Sequence, residues 1–120
     1  MIVAGFGCRA GATTDSLTAA LALASDGRTC HALAAPADRA PLVQPLADAM
    51  GLPLIAVDPI ALAAIETPTR SLASLAARGV GSVAEAAAMV AAGPGARLLS
   101  SRRISPDRMA TCAVAEGTIA

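Results

Sequence analysis

A chain of 120 residues with a single aromatic side chain, Phe6, has few ways to fill a core. Apolar residues make up 55% of it, but much of that is alanine. The interior must come from Leu, Ile, Val, Met and Ala, which each bury little area. Its helices therefore have to approach their neighbours closely over small side chains. The length suits one core with no help from disulfides or metals, and a single domain over residues 1–120 is expected.

The hydrophobic periodicity changes every dozen residues or so. MIVAGF reads as a buried strand ending in glycine, ahead of a glycine-rich loop within GFGCRAGATTD. TTDSLTAALALAS places Leu17, Leu21 and Ala24 on one helical face, with Thr13, Thr14 or Asp15 able to cap it and Gly27 to close it. CHALAAP is a second strand. Residues 37–50 carry Leu42, Val43, Leu46, Ala47 and Met50 at helical spacing, and Pro45 favours a start only around Pro41–Gln44. LPLIAVD is the strongest strand, followed by a short helix, IALAAIE, and a breaker region, TPTRS. SVAEAAAMVAAG predicts a helix with Ser82 as N-cap, Glu85 completing a capping box and Gly93-Pro94-Gly95 as its stop. ARLLSS and MATCAVA read as closing strands joined across RRISPDR, with Ser105-Pro106-Asp107 as a turn signal. Strand alternating with helix predicts an α/β fold in three layers. Its mainly parallel sheet has about five strands with helices on both faces, the last two strands antiparallel. Ligands of such sheets bind beyond the carboxyl ends of the strands.

Several function classes are excluded at this level. Formal charge is zero, no basic run occurs and aromatic stacking platforms are missing, so nucleic acid is not the partner. No apolar run approaches the ~18 residues of a membrane span, and no secretion signal opens the chain. Cys8, Cys30 and Cys112 are odd in number and form no CxxC, which fits a reducing cytoplasm and no zinc site.

The first loop invites three chemical readings. Gly5, Gly7 and Gly11 fall one residue off a dinucleotide fingerprint, Asp38 is the sole candidate for a ribose contact, and no GK[ST] supports a Walker loop. Cys8 lies beside Arg9 ahead of a helix N-terminus, which favours a thiolate. A catalytic thiol also needs an oriented base, and His31, the only histidine, falls at the far end of a parallel second strand. Arg9 projects from a loop of little bulk, where a guanidinium can fork onto a carboxylate. The glycine-rich turn around Gly79 and Gly81 precedes the Ser82 helix. Either it lets a ligand approach closely or it is a tight turn.

Two segments together are more specific. GFGCRAGATTDSLTAAL and GVGSVAEAAAMVAAG, with AMGLPLIAV between them and RISPDRMATCAVAEG after, resemble the CobE family of cobalamin biosynthesis, which is similar to the C-terminal domain of CbiG. The resemblance covers essentially the whole chain. It implies a cytoplasmic single-domain α/β protein of the corrin-ring pathway, of the stand-alone form, since Met1 leads directly into the first strand. Carried over onto this sequence, the pattern gives Gly7, Cys8, Arg9 and Gly11 in the first loop and Gly79, Gly81, Ser82, Val83 and Glu85 in the second, and Thr13 joins them as a ligand-binding candidate at the start of the first helix. Relatives often have a basic residue after the second strand. Here the stretch is AAPADRA, with Arg39 as the only replacement on offer.

The expected ligand is a corrinoid or precorrin, a flat macrocycle fringed by carboxylates. The expected role is carrier or accessory to ring-modifying enzymes, with other pathway enzymes as further partners and no cofactor or metal of its own. The alternative is a precorrin hydrolase or isomerase related to the lactone-opening CbiG. Glu85 or His31 would then activate water and loop amides would form the oxyanion site. A purely structural subunit docking through its alanine-rich helices is the third reading, and oligomeric state is left open.

Overall fold

The first apolar run forms β1 (Ile2–Cys8), which is flanked on both sides and is the centre of the fold. In the computed structural model of the chain the described residues are 1–65, 67, 75 and 82–117. After β1 come α1 (Thr14–Ser25), β2 (Ala32–Pro36), α2 (Ala40–Met50), β3 (Leu54–Val57) and α3 (Pro59–Ala63). They are followed by α4 (Val83–Ala92), β4 (Arg97–Ile104) and β5 (Ala110–Glu116). The expected turn with Gly79 and Gly81, and most of the TPTRS breaker, lie outside the described residues.

The five strands form one sheet in the order β3-β2-β1-β5-β4. β1 pairs parallel with β2, and β2 with β3, while β5 runs antiparallel to both β1 and β4. β5 alone therefore opposes the common strand direction. This is the mainly parallel, three-layer α/β architecture expected from the alternating pattern, with an antiparallel closing pair. No helix among the described residues is long and apolar enough to cross a membrane.

The period-two alternation of β1 divides the core. Ala4 and Phe6 face α1 and α2, packing with Leu17, Leu21, Val43 and Leu46. Val3 faces the other side with Ala86, Ala87, Ala88 and Leu62 from α4 and α3. On that side the small-residue argument is met directly. A Cβ built on Gly5 would collide with the carbonyl oxygen of Ala84 and the backbone nitrogen of Ala88, and one on Gly117 with the carbonyl oxygen of Ala92. The backbone of α4 thus lies directly on β1 and the end of β5, with no side chain between.

Local expectations needed adjustment at three places. Gly5 and Gly7 are strand residues and not part of a loop, because β5 pairs with β1 along its full length from Ile2 to Cys8. β4 runs on to Ile104, so Arg102 and Arg103 belong to the strand. Pairing with β5 resumes at Arg103 after a register shift. α2 starts at Ala40, which leaves Pro45 inside it. Both Pro41 and Pro45 are exposed, so the carbonyl of Pro41, left without its i+4 donor, reaches water.

Candidate functional site at the carboxyl edge of the sheet

β1, β2, β3 and β4 all end at one edge, and the expected site residues that are described gather there. The peptide joining Cys8 to Arg9 is held from both sides. Its N–H, on Arg9, donates to the carbonyl of Met109 at 2.9 Å, in the β4–β5 connection. Its carbonyl, on Cys8, accepts from Nε of Arg39 at 3.1 Å, arriving from the end of β2. Arg9 itself is exposed, and among the described residues its side chain has no hydrogen-bond or ion-pair partner. Cys8 is half-buried.

Beyond Arg9 the chain turns into α1, with Ala12 N–H donating to the Arg9 carbonyl at 3.0 Å. Thr13 is the N-cap. Its hydroxyl accepts from Ser16 N, and its own N–H donates to the Ser16 hydroxyl, both at 3.2 Å, completing a capping box. Gly11 is open, since an added Cβ would meet only the terminal methyl of Met109 at 3.0 Å. Gly7 is enclosed, with a Cβ there reaching Thr111 Oγ1 at 2.8 Å and Val83 Cβ at 3.3 Å. That closeness brings the N-terminus of α4 to the same edge.

Ser82 caps α4, accepting from Glu85 N at 3.3 Å, and is fully buried. Glu85 is also fully buried, and its Oε2 accepts from the backbone N–H of Arg102 at 2.8 Å. The register shift of β4 between Ser100 and Arg103 takes that amide out of the ladder, and the carboxylate supplies its acceptor. Glu85 thus fastens the N-terminal turn of α4 to β4.

Asp107 was legible only as part of a turn signal, yet it ties the edge together. It accepts from Ser16 Oγ at 2.5 Å, Ser105 Oγ at 2.6 Å and Met109 N at 3.1 Å. These donors, the Ser105 hydroxyl foremost and then those of Ser16 and Met109, hold its carboxyl below the usual range. α1, the β4–β5 turn and the Cys8–Arg9 peptide become one connected rim.

His31 lies at the other end of the sheet. Its Nδ1 accepts from Ile2 N at 2.9 Å, at the amino end of β1, and the parallel β1–β2 pairing separates it from Cys8 as expected. A hollow of about 260 Å³ at that same end is lined by Leu21, Arg28, Cys30, Met50 and Leu52, and it holds none of the expected site residues. No cluster of three or more His, Cys, Asp or Glu is present among the described residues.

The family model described as Cobalamin synthesis G C-terminus matches residues 2–115. The chain belongs to that family. The structure of CobE, a protein from the cobalamin (vitamin B12) biosynthetic pathway, is 32% identical with a TM-score of 0.85, over 96% of this chain and 89% of that one. Cobalamin biosynthesis protein chiG from Agrobacterium tumefaciens is 34% identical with a TM-score of 0.76, over 98% of this chain and 99% of that one. A cobalamin biosynthesis protein G homolog from Sulfolobus solfataricus shares the fold at 18% identity and a TM-score of 0.73, with 95% of this chain matching 36% of that one. No curated protein sequence matches the chain. The protein is thus a cobalamin biosynthesis protein of the CobE and CbiG C-terminal type.

Proposed function

We propose that this cobalamin biosynthesis protein binds a corrinoid or precorrin intermediate at the carboxyl edge of its sheet, as a carrier or an accessory to ring-modifying enzymes. The observation that carries the reading is the Cys8–Arg9 peptide, immobilised by Arg39 on one side and Met109 on the other, with the Arg9 side chain exposed beyond it. A guanidinium launched from a fixed peptide loses little entropy when it takes a carboxylate, and corrin precursors carry carboxylates around their rim. In this reading Gly7, Cys8, Gly11 and Thr13 serve the first loop and Ser82 the start of α4, while Gly79 and Gly81, which belong to the same reading, lie outside the described residues. Glu85, buried against Arg102, acts by holding α4 in place. Cys8, Cys30 and Cys112 form no disulfide, which suits a reducing compartment, and we place the protein in the cytoplasm.

The hydrolase alternative gains nothing from its two candidate bases. His31 is at the amino end of the sheet, and the Glu85 carboxylate is engaged with the β4 backbone. Titration with hydrogenobyrinic acid, followed by visible absorbance and gel filtration, tests the binding reading. Saturable co-elution is expected, weakened about tenfold or more in Arg9→Ala, the loss typical of a charge-assisted hydrogen bond. Equal binding by the variant would remove the site from the first loop, and turnover of the ligand would replace the carrier role with an enzymatic one.

A further inference from the structure

We propose that Arg39 is a second ligand-binding arginine, paired with Arg9 across the ends of β1 and β2 so that one ligand is held through two carboxylates at once. The proposal rests on the corrinoid-binding reading and specifies the chemistry of that site. Arg39 spends one of its five N–H donors, Nε, on the Cys8 carbonyl. It is half-buried, and among the described residues its four remaining donors have no partner. The accepting carbonyl belongs to the residue just before Arg9, so both guanidinium stems converge on one peptide bond.

A second feature points the same way. Arg39 is also the N-cap position of α2, and it makes no side-chain capping bond. At α1, α3 and α4 the cap side chains of Thr13, Asp58 and Ser82 each accept a first-turn amide. The N-terminus of α2 is therefore left with a cation in place of the usual oxygen acceptor, beside its own positive dipole end. That arrangement is unfavourable for the free protein and favourable once an anion arrives. Asp38, adjacent and exposed, has an interaction of its own. A ligand with one carboxylate would engage only one arginine. A ring fringed with several would bridge both.

The test is a binding cycle with hydrogenobyrinic acid on the wild type, Arg9→Ala, Arg39→Ala, Arg39→Lys and the double alanine variant. It is joined by NMR of the arginine Nε–Hε signals during titration with benzenehexacarboxylate. Arg39→Ala is expected to weaken binding about tenfold. Arg39→Lys, lacking Nε and the fork, should recover little of the loss. The double variant should bind more weakly than Arg9→Ala alone, and the Arg9 and Arg39 signals should both shift with the polycarboxylate. If Arg39→Ala binds like the wild type, or the double variant like Arg9→Ala, the proposal is overturned while the corrinoid reading stands. If the wild type ignores hydrogenobyrinic acid but both arginine signals move with benzenehexacarboxylate, the corrinoid reading fails and the two-arginine clamp survives. An unmoved Arg39 signal in that case removes the clamp as well.

Discussion

Gly5 and Gly11 sit six residues apart in the same opening stretch and are required for different reasons. At Gly5 a methyl group meets the rigid backbone of α4, so Gly5→Ala forces helix and sheet apart. The expected loss is about 3 kcal/mol in urea unfolding, at the upper end of overpacking costs. At Gly11 the only obstacle is the flexible end of Met109, and Gly11→Ala should stay within about 0.5 kcal/mol of wild type. A large loss at Gly11 would mean that its backbone geometry, and not its openness, is what the fold needs. The cysteines separate in the same way. Burial, helped by neighbouring Cys30, pushes the Cys112 thiol well up, and burial raises Cys30 too, whereas Cys8 is half-buried at the rim. Iodoacetamide followed by peptide mass spectrometry should modify Cys8 first and Cys112 only on unfolding.

Among the elements, α1 and α4 are set by their caps and by what those caps are tied to. Ser82→Ala removes the acceptor for Glu85 N and should cost about 1 kcal/mol of stability, read by thermal or urea unfolding. Asp107 links α1 to the β4–β5 turn, and its pKa is lowered by the donors it accepts from. A carboxyl whose pKa is depressed by folding adds stability above its unfolded value, about 3.9 for Asp. That contribution fades as pH falls through the lower folded value. Asp107→Asn should therefore melt below the wild type at neutral pH, with the gap narrowing as the solution becomes more acidic. Thermal melts at a series of pH values check this, and a gap that widened in acid would contradict it.

The whole molecule is organised around β1 and β5, which with β2 are paired on both sides, while β3 and β4 close the sheet as edges. Amide exchange should be slowest in β1 and β5 and fastest in β3, followed by NMR or mass spectrometry; protection highest at the edges would show a different unfolding unit. The arrangement also gathers the residues of the proposed site. Four strands end at one edge, and there α1, the β4–β5 turn, Arg9 and Arg39 meet. The hollow at the amino ends lies away from all of them.

The sequence by itself determined what depends on neighbours a few residues apart. Strand runs, helical faces, the Ser82 cap, a first-helix cap within Thr13–Asp15 and the turn at Ser105-Pro106-Asp107 follow from local periodicity and hydrogen bonding. The alanine-rich, nearly aromatic-free composition already required helices to lie close on their neighbours. The first loop was legible as a candidate site through Arg9 and its glycines, together with a family resemblance spanning the chain. Only the tertiary structure decided that Gly5 is packed under a helix and that Glu85 serves the bulge in β4. It alone joined Arg39 to the Cys8 carbonyl across 31 residues and Asp107 to Ser16 across 91. Those partners are chosen by strand order and direction, and no periodicity within a dozen residues encodes which distant strand end a side chain will meet.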